Sequence, residues 1–545
     1  MAEELDLATT YLNDALNRYN ILCTGLRNHY VSGTGLRMDN TPELTGRVVQ
    51  ELSRASSYET EIRHSKAILN QLYNISGSRP AVSINKLPLE ILARIFEDVV
   101  NTHPCPVLED RLRVPSKATF LKDPVILSHV CSHWRRVAIN TATLWSHIDI
   151  DPSLISLSET SARLDFYKAR SADALLDIHV AEAPRTPDAP YYPPSSADPA
   201  MIDLLALTSP RMRSLTLTVS ASRKMYRTFL ATCFSNCTPG TLASVSIRSV
   251  GRERSDWPHL VEARDLQHMM DKMTGLPFDT AEAIWHGVKI LQLGGFRPTW
   301  SSKAFHGLIE LRLVKVGRIR QSRLGSILHS SPQLRVLELD IEFQSHIPGD
   351  PPITAVRLDN LEILILGGVK QEQLGLILPL IDPGSKPLSL SLVNPYMGSR
   401  EFTSKNELAR FAARSCITRF IMHEFDDYSQ LAEMFSLMPN LQVVAVNALN
   451  SGEIDQGAIF LEFNIQVFYV LNSCSLFSRF TWPQLQNFVE KHRVQKLVLW
   501  QYDFRYCGLS ELGREAIPDN LYTICPVVHL VPDTDPNPIL EWFGE

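Results

Sequence analysis

Three residues within five positions carry groups that could bind a metal: His129, Cys131 and His133. Histidines four apart share a helical face, the spacing that zinc-binding helices use. Here no glutamate completes an HExxH pattern, no third ligand lies at useful spacing, and Cys131 falls a third of a turn away on the apolar side. Cys233 and Cys237 have the same spacing without a second pair, which predicts core thiols. Glu424, Asp426 and Asp427 form a carboxylate cluster after an apolar run, as solvated turns do. The SGTG at 32–35 has no strand before it, and no GxxxxGK[ST] loop occurs, so phosphate cradling is unsupported. No GxSxG elbow or Cys–His arrangement stands out. The chain is expected to be non-catalytic, with no cofactor and no metal site.

Bulk properties narrow the class further. The net charge of −6 and a pI near 6.3 argue against a whole-chain nucleic-acid or membrane-surface binder. Nine cysteines, an odd number without any CxxC, suit reduced thiols. The opening MAEELDLATT is acidic with no apolar signal core, and no apolar run is long enough to cross a bilayer. Cytoplasm or nucleus is the expected location.

The elements that would carry function come next. Leu5, Leu12, Tyr19 and Leu26 recur every seven residues, with Ala8, Ala15 and Leu22 behind them, which predicts a helix over 1–30. Thr41 and Pro42 start a second helix running to about Tyr73, seamed by Val48, Ala55, Ile62 and Leu69. A short loop makes an antiparallel hairpin over 1–78, which either packs on the neighbouring domain or forms a coiled coil with another chain. Residues 77–83 read as a hinge, and the six prolines of 182–200 as a surface loop.

INKLPLEILARIFEDVV, residues 84–100, predicts a helix opening on Leu87-Pro88. Ile91, Leu92, Ile95, Phe96 and Val99 share one face, and Glu90 and Arg94 form an i,i+4 pair on the other. PVILSHVCSHWRRVAIN, 124–140, predicts one further helix with Val130, Cys131 and Trp134 on its apolar side. Leu144 and Trp145 close the unit where a strand begins.

Beyond residue 172 a six-residue unit keeps returning: apolar, two variable, apolar, one variable, apolar. Copies are MRSLTL, LASVSI, VKILQL, LIELRL, LRVLEL, LEILIL, PLSLSL, ITRFIM, LQVVAV and VQKLVL. Their fourth residues stand at 215, 245, 291, 311, 337, 364, 390, 420, 444 and 497. Most gaps approximate one leucine-rich repeat of ~20–29 residues, and the gaps of 46 and 53 are each about two. Such units bury their apolar faces only by stacking. Strand alternation turns the intervening positions outward. Arg312, Glu338, Asp340, Arg419, His423, Lys496 and Trp500 are therefore the candidate target-binding residues, with Trp500 an exposed anchor.

The order LPxEILxxIF, LSxVCxxWRxxA, LW over 87–145 resembles the F-box family, most of all the F-box-like proteins abundant in mushroom-forming fungi, which also carry degenerate leucine-rich repeats. The resemblance implies an α/β architecture: helical hairpin over 1–78, three-helix F-box bundle over 79–150, and an irregular repeat solenoid with parallel strands over 151–545. It implies docking on a Skp-type adaptor of a cullin–RING ubiquitin ligase, with a protein substrate held by the repeats. The implied adaptor contacts are Leu87, Pro88, Ile91, Leu92, Ile95 and Phe96, with Val130, Cys131, Trp134 and Leu144 closing the bundle or touching the adaptor. An insert at about 101–123 is a departure. It is either a loop on the far side or an obstruction of the docking surface. A repeat scaffold outside any ligase and a small-molecule receptor at the concave face are the alternatives.

Overall fold

The computed structural model describes residues 2–31, 41–76, 84–102, 123–150, 158–181, 199–219, 223–249, 278–296, 298–344, 354–368, 371–393, 405–423, 434–446, 464–471, 482–500, 519–531 and 538–543. The hinge at 77–83, most of the 101–123 insert and the proline-rich loop, the SGTG turn and the Glu424 cluster lie outside them. The chain falls into two compact units, Met1–Leu87 and Pro88–Glu545.

The first unit holds two long helices, α1 (Ala2–Val31) and α2 (Thr41–Ser76). The Tyr19 phenol of α1 is pushed up by burial and by the neighbouring Cys23, Glu51 and Tyr58. Yet Leu5, Leu12, Val48, Ile62 and Leu69, the expected seam, are exposed. Glu51 and Ser65 interrupt the second seam, so α2 does not offer one continuous apolar stripe.

The second unit begins with α3 (Leu89–Thr102), α4 (Asp123–Val130) and α5 (Ser132–Asn140). Where one helix is expected over 124–140 there are two. Cys131 is extended (φ −158°, ψ 170°), and its Sγ accepts the Trp134 N–H at 3.4 Å. It is the N-cap of α5, and its conformation cannot continue α4. Arg94 pairs with Glu97 and Asp98, both at 3.5 Å, in place of Glu90.

The rest of the unit is mixed α/β. Fourteen parallel strands form one open sheet: β1 (His147–Ile150), β2 (Leu176–Ala181), β3 (Met212–Val219), β4 (Ser244–Ser249), β5 (Ile290–Gly294), β6 (Glu310–Ile319), β7 (Val336–Phe343), β9 (Ile363–Gly367), β11 (Pro387–Val393), β12 (Cys416–His423), β13 (Val443–Val446), β14 (Val467–Val470), β15 (Lys496–Trp500) and β16 (Val527–Val531). They add in chain order, each to the edge left by the last. β8 (Val356–Leu358) and β10 (Ile381–Pro383) pair separately.

The register explains the six-residue unit. Ile178, Leu215, Val245, Leu291, Leu311, Leu337, Leu364, Leu390, Phe420, Val444, Phe468, Leu497 and Val528 are cross-strand neighbours in a single row. The ten expected markers all lie in it and are buried in one continuous core. Helices such as Arg223–Asn236, Gln321–His329 and Trp482–Lys491 cover that side with Phe229, Leu328 and Phe488. The two long gaps differ. β14, with Phe468 in the row, divides the second. β4 pairs directly with β5 across the first, so that gap is one long crossover rather than two repeats.

Candidate functional site

Two surfaces follow from this arrangement. The first is the helical box. Leu92, Phe96, Val100, Leu127, Val137, Ala138, Leu144 and Trp145 form a closed core that also takes in Tyr167. The Trp145 indole donates to the Ala138 carbonyl at 2.7 Å, and the Phe96 and Trp134 rings lie 4.8 Å apart. Burial of these aromatics is what holds the three short helices together, since none is long enough to be stable alone.

The implied contacts therefore divide. Leu92 (0% exposed), Phe96 and Leu144 are interior and cannot meet an adaptor. Trp134 and Ile95 are half-buried, and Cys131 is committed to capping α5. Ile91 (49%) and Val130 (56%) face outward, joined by Leu89, Val99 and Ile126. Pro88 is exposed and accepts the Leu92 N–H at 3.0 Å, while Leu87 belongs to the first unit. Exposed Leu89, Val99 and Ile126 were not among the expected contacts. Helical periodicity marks an apolar stripe but not which part of it the bundle consumes.

The second surface is the outward face of the sheet. Its central row runs Asp149, His179, Thr216, Ser246, Gln292, Arg312, Glu338, Ile365, Ser391, Ile421, Ala445, Tyr469, Val498 and His529. Outward does not mean exposed here. Arg312 is 1% exposed and Glu338 is buried. Arg312 pairs with Glu310 on its own strand and with Glu338 at 3.3 Å on the next. Its guanidinium also donates to the Phe543 carbonyl, near the far end of the sequence. Gln292 donates to Glu310 at 2.7 Å and accepts from Ser246 at 3.0 Å, which extends the polar chain across four strands.

From β9 onward the outward face is a second apolar interior. Ile365, Ile421, Ala445, Val498, Trp500 and Val531 cluster with Ile539, Trp542 and Phe543 of the C-terminal turn. The Trp542 ring meets Tyr469 edge-on at 5.0 Å, and the Arg419 guanidinium lies 5.7 Å from the Trp542 centroid. Trp500, at 4% exposed, is a core residue and not the expected anchor. The pattern of alternation identifies a face; it says nothing about a distant segment folding onto it. Of the seven expected target residues, Arg419 is exposed and Lys496 and Asp340 are partly so. Asp340 is pressed against Gly367 and Gly368, the latter at φ +55°, where a Cβ would strike its carboxylate. The His423 side chain lies outside the described residues.

The His129, Cys131, His133 triplet does not converge. Among the described residues one group brings three metal-ligating side chains together: His147, Asp149 and His179. His147 and Asp149 are two apart on β1, and Asp149 faces His179 across the β1–β2 register. No spacing in the sequence signals this, because Asp149 and His179 stand 30 positions apart and meet only through the pairing of β1 with β2. Burial, with a smaller contribution from the adjacent His147, lowers His179 to about 3. His147 is raised despite its burial, by its hydrogen bond to Asp149. Cys233 and Cys237 are buried core thiols, Cys233 pushed up to about 12 by burial. No protein-family model and no curated protein matches the chain.

Proposed function

We propose that the protein is the substrate-recognition adaptor of a Skp–cullin–F-box type ubiquitin ligase, without catalytic chemistry of its own. The observation that carries this reading is the apolar surface of the box. Leu89, Ile91 and Val99 on α3, and Ile126 and Val130 on α4, remain exposed although the bundle core is complete without them. Exposed apolar side chains on neighbouring helices, with exposed Glu90, Arg94 and Asp98 also on α3, have the composition of a protein-docking surface. The order of the motif, LPxEIL through LW, supports the same partner.

In this reading the sheet is a leucine-rich-repeat array that grows by one strand per repeat. It serves as the arm that holds the target. Arg419 and Lys496, three strands apart in the row beside Ile421 and Val498, are accessible charged groups on the closed half. The target would be met there by an acidic protein segment. Co-expression with a Skp-type adaptor tests the docking step. The parent chain should co-purify with it, and the Ile91→Asp/Val130→Asp variant should not, with both chains equally folded. Equal recovery of adaptor with the two would refute docking. Absence of adaptor from both would favour a repeat scaffold outside any ligase.

A further inference from the structure

We propose that His147, Asp149 and His179 form a binding site for a zinc-class divalent cation at the first edge of the sheet. The three side chains converge. The His147 Nε2 lies 2.9 Å from Asp149 Oδ1, and His179 Nδ1 lies 3.9 Å from that same oxygen. All three donor atoms lie within 4.8 Å of one another. A tetrahedral ion about 2.0–2.2 Å from each donor sets the donors roughly 3.3–3.6 Å apart, so side-chain shifts of about 1.5 Å or less, closing the widest pair and slightly opening the His147–Asp149 pair, complete the site. A hydrogen-bonded His–Asp pair does not by itself call for a second imidazole whose ring centroid lies 4.2 Å from the first.

The mounting is rigid. All three residues sit on paired strands, and Ile148 and Ile178 between them are buried in the main core on the opposite face. Asp177 faces His147 across the register but is engaged by Arg213, whose Nε lies 3.1 Å from Asp177 Oδ1. The protein donors are then two imidazoles and one carboxylate, without thiolate. That set suits Zn²⁺, Co²⁺ or Ni²⁺ and disfavours Mg²⁺ and Ca²⁺, which take oxygen ligands. Three protein ligands leave room for water or an incoming ligand, as in sites that exchange ligands rather than closed structural ones. His147 is the least buried of the three and opens the site to solvent.

The test uses the untagged full-length chain, stripped with chelator and titrated with Co²⁺ while visible absorption is recorded. The expected result is a 1:1 band that Zn²⁺ abolishes by displacement. His147→Gln and His179→Gln should each weaken Co²⁺ by more than the roughly 10–100-fold that an outer-shell change costs. A His129→Gln/His133→Gln variant should titrate like the parent. His147→Gln reaches solvent and should fold even if His179→Gln does not. No saturable band in the parent, an unchanged titration in His147→Gln, or loss of the band in the His129/His133 variant would each overturn the proposal.

Discussion

The two halves of the sheet share one inner core but have opposite outer faces. From β1 to β7 the outward row is Asp149, His179, Thr216, Ser246, Gln292, Arg312 and Glu338. From β9 to β16 it is Ile365, Ser391, Ile421, Ala445, Tyr469, Val498 and His529, mostly apolar and covered by the C-terminal turn. The same six-residue unit thus supports a hydrogen-bonded face and a packed one. What decides between them is whether a distant segment has apolar side chains to seat. Arg312 stands at the boundary, holding two carboxylates of the polar half and a carbonyl of the turn.

Arg312→Ala should have the largest effect on this comparison. It leaves Glu310 and Glu338 buried without their cation and should cost about 3–5 kcal/mol. Glu338→Ala keeps Arg312 paired with Glu310 and should cost about 1–3 kcal/mol, far above a surface substitution. Urea unfolding followed by fluorescence measures both. A loss under about 0.5 kcal/mol in each would mean the polar face is solvated like any surface.

The closed half has its own test. Trp542→Ala should cost about 3–5 kcal/mol, the price of emptying a large aromatic site. It should also raise the proteolytic sensitivity of the C-terminal turn. Thr216→Val on the polar half should stay within about 1.5 kcal/mol. Equal losses at the two positions would erase the distinction between the halves.

The smallest effect lies on the exposed inter-strand edge. Glu362 accepts from Arg335 at 2.7 Å and from Lys386 at 3.1 Å, and its pKa is lowered from the ordinary 4.5, chiefly by Arg335. A lowered folded pKa gives stability that is present above pH 4.5 and lost as pH falls through the folded value. Glu362→Gln should therefore cost about 0.2–1 kcal/mol at pH 7, and parent and variant should converge in acid. Thermal melts at the two pH values read the difference.

Much of the scaffold was legible in sequence. Period-two apolar spacing with a fixed offset is a local property, and it located the ten markers of the inner row. The units at 175–180 and 465–470 carry the same spacing at Leu175, Ile178, Val180 and at Ile465, Phe468, Val470, so β2 and β14 were within reach of the same reading. Contacts made over long sequence distances were not legible. The Phe543 carbonyl reaches Arg312 from 231 residues away, and His179 reaches Asp149 only through parallel register. Cys131 was misread for a different reason. Its apolar neighbours fit one helical stripe, and nothing in that periodicity shows that its own backbone is extended.

The box poses the most direct test, because Ile91 and Leu92 are adjacent in sequence and opposite in environment. Leu92→Ala should lower the stability of the unit by about 2–5 kcal/mol through the cavity it leaves. Ile91→Asp should leave the melting temperature unchanged and weaken binding of a purified Skp-type adaptor, read by isothermal titration, by at least about tenfold, as expected for a residue near the centre of an interface. Unchanged adaptor affinity in Ile91→Asp, with the parent binding, would place the docking surface elsewhere; no binding by the parent would contradict the adaptor account itself.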